Sequence, residues 1–141
     1  MKPKRLIVHH SASALSTTIA DIREWHLARG FSDIGYHAII EADGALRYGR
    51  PLWVQGAHDA GQNADSLGIC LVGNNTIPRH IWTLDQEEQL IRVMRACRLL
   101  YGPDFGFEMH REHEPDSPTE CPGITEIHWG ALLESGSLLG L

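Results

Sequence analysis

Residues 110–123 read HREHEPDSPTECPG and place two imidazoles, His110 and His113, upstream of one thiol, Cys121. Near the other end of the chain, His9 closes the apolar run RLIVHH. Nitrogen and sulfur donors of this kind suit zinc, and a catalytic zinc takes three protein ligands while keeping a fourth position for water. His9, one of His110 and His113, and Cys121 would make such a set, with Pro122-Gly123 stiffening and turning the backbone beside the thiol. The chemistry open to it is hydrolysis, by polarising a carbonyl and activating water. Spacing alone leaves a second reading, a buried thiol near a solvated histidine.

These groups need elements to carry them. RLIVHH (5–10) predicts a buried strand that delivers His9 and His10 at its end, before the turn-prone SASALS. Thr17 or Thr18 caps a helix through about Arg29, with Ile19, Ile22, Trp25 and His26 on the face toward the sheet and Gly30 as its stop. In YHAIIEADGALRYGR (36–50), Asp43-Gly44 between two strand-like runs predicts a tight primed hairpin, with Tyr36 and His37 opening the first strand. Residues 51–66 read as an irregular loop, and SLGICLVGN (66–74) as a central strand. Thr83 and Gln86 form a capping box for a helix over 83–101, ended by Gly102-Pro103. FGFEM (105–109) predicts the last strand, and ITEIHWGALLES a final helix with Ile124, Ile127, His128, Ala131 and Leu132 on its packed face. The order predicts an α/β or α+β fold, a mixed central sheet flanked by helices.

The 141 residues, 43% hydrophobic and 21% charged, predict a single domain over 1–141. A formal net charge of −6 argues against nucleic acid as partner. Leu6-Ile7-Val8 is too short for a signal-peptide core, and no stretch approaches the roughly 20 apolar residues of a membrane span, so synthesis in the cytoplasm without membrane insertion is expected. Cys70, Cys97 and Cys121 are an odd number, which argues against a disulfide framework.

LIVHHSA, GYHAII, the histidine of QGAHDAG, SLGICLVGN and HREHEPDSPTECPG, in this order, resemble the zinc-dependent N-acetylmuramoyl-L-alanine amidases of the amidase-2 and peptidoglycan-recognition family, especially short phage lysozyme-type members. The resemblance runs from about residue 5 to 134. It implies a mixed sheet flanked by helices and zinc held by His9, His110 and Cys121. His110, Arg111, Glu112 and Pro115 match the family's H-R-D/E-x-x-P run, which makes Asp116, Ser117 and Pro118 an insertion. His113, eight residues before Cys121 and six before Thr119, fits a spacing that other members use and stays the alternative ligand. His10 then points to the other face or bonds nearby.

The resemblance also implies that the bond cut joins muramic acid to L-alanine in peptidoglycan. Tyr36 would stand beside the metal, and Thr119, where several phage members have lysine, would donate a hydrogen bond to the oxyanion. His37 and His58 are expected to contact substrate or orient the zinc ligands, and Asn63 to bind amide groups of the substrate. Asn74 is a further amide-binding candidate, its bland reading being turn geometry, and Trp53 is a candidate for stacking on a sugar. Cys70 replaces the glutamate of the recycling branch and reads as a core residue; His26, His80 and His128 read as structural. The expected protein is an endolysin-like monomer that reaches the wall through a holin-type pore or secretion partner. Two alternatives are an amidase of soluble muropeptides, against which Cys70 weighs, and an inactive peptidoglycan-binding module, against which the retained ligand set weighs.

Overall fold

A single sheet of five strands organises the computed structural model, which describes residues 1–113 and 119–137. The strands are β1 (Arg5–His10), β2 (Ala38–Ile40), β3 (Leu46–Tyr48), β4 (Ser66–Leu71) and β5 (Gly106–Met109), in the spatial order β3-β2-β4-β1-β5. Neighbours run parallel except β3, which is antiparallel to β2. The predicted central strand is in the middle. β4 and β1 are covered on both faces, which explains why their sequences are nearly continuous apolar runs rather than alternating ones.

Alternation along the strands divides what they cover. Leu6 and Val8 of β1 and Leu67, Ile69 and Leu71 of β4 pack with Leu90, Met94 and Cys97 of α2 (Leu84–Tyr101) and with Trp129 and Leu132 of α3 (Glu126–Gly136). Each such side chain, fully buried, contributes roughly 1.5–3 kcal/mol. On the opposite face Cys70 joins Ile39, Ile34 and Val72 against Ile22 of α1 (Ile19–Ala28). His9 is the register partner of Cys70, so it belongs to the α1 face.

Capping sets the helix starts. Thr18 caps α1 in a reciprocal box with Asp21, and Thr83 does the same for α2 with Gln86. Gln86 also ties α2 to the sheet, because its fully buried amide donates to the carbonyls of Ile40 and Val72 at 3.1 and 2.7 Å. Among the described residues no helix is long and apolar enough to cross a membrane.

Four expectations need correction. The hairpin at Asp43-Gly44 is not a two-residue primed turn: the only non-glycine residue with positive φ among those described is Ala12, so Asp43 keeps a negative φ and Gly44 alone, at φ 85°, turns left. The Gly44 N–H donates to Glu41 O and the Glu41 N–H to Ala45 O, a longer loop closed by the one glycine. Tyr36 and His37 precede β2 rather than open it, although both carbonyls still accept N–H bonds from Arg50 and Gly49. Trp25 is 46% exposed; Ile22 and His26 carry the face of α1. Ile127 is 87% exposed, because α3 docks on α2 through Trp129, Leu132 and Gly136 instead.

Candidate metal centre

The two strands at one side of the sheet bring the histidines together. β1 and β5 are parallel with Val8 opposite Met109, so His9 and His110 come one residue later along neighbouring segments. Their ring centroids are 4.6 Å apart. β5 ends there in a 3-10 turn, His110–His113. Cys121 is returned to the same point by two bonds from backbone N–H groups: the Arg111 N–H donates to Cys121 O at 2.8 Å, and the His10 N–H to Cys121 Sγ at 3.3 Å. One donor atom each from His9, His110 and Cys121 lie within 4.8 Å of one another, the only such trio among the described residues.

The donors suit a soft or borderline divalent cation. Burial, reinforced by the charges of the neighbouring histidines His58 and His110, holds the His9 imidazole well below 6.5. His9 is therefore neutral at pH 7 and has a lone pair to give. Burial also pushes the Cys121 thiol up to about 12, outweighing the His10 N–H that favours the thiolate. Neither that N–H nor the nearby Arg111 charge offsets the burial of the sulfur, which is what a coordinated cation would complete. Two imidazoles and one thiol on the wall of a cleft of about 500 Å³ match three-ligand catalytic zinc better than a closed four-ligand structural site.

Tyr36 lines the same cleft, its ring 5.1 Å from that of His9. Burial, then the nearby Cys70 and Cys121 thiols, keeps its phenol well above 10, so it is a hydrogen-bond donor at neutral pH. Thr119 also lines the cleft, and its Oγ1 accepts the Cys121 N–H at 3.2 Å. His58 reaches His9 directly, Nδ1 to Nε2 at 2.9 Å, while its other nitrogen faces Ser66 Oγ at 3.3 Å. Gly68 makes room for that ring: a Cβ there would stand 2.4 Å from the imidazole. Burial, helped by His37, lowers His58 to about 3.

Other candidates are placed elsewhere. His37 is absent from the cleft lining; its Nδ1 accepts the Gly68 N–H at 3.0 Å and its Nε2 faces Val54 O at 2.7 Å, so backbone takes both nitrogens. Asn63 does line the cleft, but its Oδ1 accepts the N–H groups of His58 and Asp59 at 2.9 and 3.0 Å, which makes it a loop clamp. His113 stands outside the trio, with Nδ1 2.8 Å from Asp59 Oδ2 and Nε2 3.2 Å from Glu108 Oε1. Trp53, 73% exposed, lies in a separate depression beside Met1 and Leu100, away from the cleft.

Of the remaining residues, His10 and His26 also line the cleft, each with a nitrogen bonded to backbone. His10 accepts the Asn75 N–H, and His26 the Gly35 N–H at 2.8 Å. Asn74 closes its own turn onto Thr76, His128 pairs with Glu87, and Cys70 is fully buried. His80 ends a short 3-10 turn, Pro78–His80. Pro115 and the insertion read at Asp116, Ser117 and Pro118 lie outside the described residues. Sequence reasoning missed Asp59, 3% exposed at the cleft wall; its only signal was a carboxylate directly after His58 in a loop of small residues.

Comparisons with known proteins point to one family. Residues 1–124 match the N-acetylmuramoyl-L-alanine amidase family. The endolysin of Escherichia phage T7 is 43% identical over 126 residues, which cover 88% of this chain and 83% of that protein. A peptidoglycan-recognition protein of Drosophila melanogaster is 29% identical over 132 residues, 88% of this chain and 71% of its own. The structure of the N-acetylmuramoyl-L-alanine amidase LysC from Clostridium intestinale superposes with a TM-score of 0.81 at 30% identity, over 97% of this chain and 87% of the other. With two imidazoles and a thiol converging on one cleft, and a family match over residues 1–124, the chain belongs to the N-acetylmuramoyl-L-alanine amidases.

Proposed function

We propose that the chain hydrolyses the amide bond between N-acetylmuramic acid and L-alanine in peptidoglycan, with zinc held by His9, His110 and Cys121. The convergence of these three donors in the cleft carries the reading. A zinc ion there supplies a Lewis acid for the amide carbonyl and a water acidified toward a pKa of about 7. The chain's own groups do the rest. The His58 imidazole holds the His9 ring by its Nε2, which fixes the tautomer and orientation of a ligand. The protonated Tyr36 phenol donates to the oxygen that gains charge as the amide is attacked. Thr119 uses its oxygen to accept the Cys121 N–H, so its own O–H remains to donate a second bond.

Similarity to phage endolysins supports action on the cell wall. In this reading the protein works as a monomer, is made in the cytoplasm, and is delivered by a holin-type or secretion partner.

The test is zinc analysis of the purified protein alongside release of L-alanine amino termini from purified peptidoglycan. About one zinc per chain is expected, with amine release stopped by a chelator. Hydrolysis that continues after complete zinc removal would refute the metal mechanism.

A further inference from the structure

His58 and Asp59 are consecutive, and each reaches a different histidine of the donor trio. His58 Nδ1 stands 2.9 Å from His9 Nε2, and Asp59 Oδ1 stands 3.7 Å from His110 Nε2. The dipeptide does not hang freely. Asn63 Oδ1 accepts both of its backbone N–H groups, and the Asp59 side chain is buried. Behind Asp59 runs a chain of charged and polar contacts: His113 Nδ1 on Asp59 Oδ2 at 2.8 Å, Glu108 Oε1 on His113 Nε2 at 3.2 Å, and Arg5 Nε on Glu108 Oε1 at 2.8 Å. Arg5 is anchored in turn on Asp65 at 3.1 Å.

We infer that Asp59 is a positioning residue for the metal centre: its carboxylate, steered by His113 and clamped through Asn63, orients the His110 ring from its Nε2 edge within the donor trio. This rests on the zinc reading above. A buried carboxylate is costly unless it is paired, and here its pairing partners are two imidazoles of the 3-10 turn that follows β5. Carboxylates against the free nitrogen of a ligating histidine raise its basicity and fix its ring. The inference also gives His113 a role, as the brace of Asp59 rather than a ligand. One loop of the chain then supports both histidine donors, whereas Cys121 is held separately by the His10 N–H.

The experiment measures zinc affinity, by competition with a chromophoric chelator, and the visible spectrum of the cobalt-substituted protein. The proteins are wild type, Asp59→Ala, Asp59→Asn, His113→Gln and His110→Ala. Asp59→Ala is expected to weaken zinc binding about 10- to 100-fold and to change the cobalt spectrum, with Asp59→Asn partly rescuing both. His113→Gln is expected to weaken binding less than Asp59→Ala. In zinc-saturated enzyme, Asp59→Ala lowers kcat and leaves KM for muropeptides unchanged. Zinc affinity equal to wild type in both Asp59 variants, or a rise in KM alone, overturns the inference. If Asp59→Ala fails to fold, judged by far-ultraviolet circular dichroism, Asp59→Asn decides. Loss of zinc from His113→Gln but not from His110→Ala would instead overturn the ligand assignment, so the two failures are distinct.

Discussion

The two faces of the sheet are made by the same strands and do opposite things. Leu6, Val8, Ile69 and Leu71 send side chains into an apolar core closed by α2 and α3. One residue out of step, Cys70 shares the other face with its register partner His9, and a cleft walled partly by His26 of α1 lies beside the histidines. The first face buries carbon against carbon. The second buries imidazoles at a cost, since desolvation lowers His9 and His58 far below 6.5 and raises the Cys121 thiol. Polar burial without a core's return is tolerated where a bound ion or a chain of hydrogen bonds compensates it. Both faces carry apolar clusters, but the metal-binding imidazole of β1 lies on one strand parity alone, so substitutions on the other face should change stability without changing metal binding.

The largest effect is expected at the donors. His9→Ala, His110→Ala and Cys121→Ala should each abolish zinc retention and amine release while His113→Ala keeps its metal, as read by elemental analysis of dialysed protein. On the other face, Trp129→Ala should cost about 3–5 kcal/mol in denaturant unfolding and leave the zinc affinity of the folded protein unchanged.

Acid should act on the histidine face. The His58 pKa is near 3 when folded and about 6.5 when unfolded, so between those values the unfolded chain binds more protons and stability falls as pH falls. Its contribution is complete above about pH 6.5 and lost by about pH 3. In chelator, the unfolding free energy should drop by a few kcal/mol over that window, and His58→Gln should flatten the slope. Tyr36→Phe should lower kcat about 100-fold, near 2.7 kcal/mol, with zinc content intact. The smallest effect is expected at Ile127→Ala, within about 0.5 kcal/mol, because that side chain is 87% exposed.

The strands and helices that carry most of the fold were readable because their signals are local. RLIVHH and SLGICL are apolar runs, and the Thr83–Gln86 box marks the start of α2 whatever surrounds it. The packed face of α3 was not readable. Its segment has apolar residues on every side, Ile127, Trp129, Ala131, Leu132 and Leu133, so periodicity selects no face and docking on Met94 of α2 selects Trp129 and Gly136. Asp43-Gly44 announced a turn but not its type, because the closing bond from Glu41 to Ala45 depends on strand register.

The sequence by itself determined which groups are available for chemistry: imidazoles at strand ends, one thiol before a proline, and no charge pattern suited to nucleic acid. It could not choose between His110 and His113, three residues apart in one segment. What favours His110 is the parallel pairing of β1 with β5, which sets Met109 opposite Val8 and so carries His110 beside His9. Asp59 and Glu108, which occupy both nitrogens of His113, weigh on the same side. Tertiary structure likewise turned His37 toward backbone and Asn63 into a clamp, because a buried polar group bonds whatever the fold places nearest, and sequence spacing does not encode that neighbour.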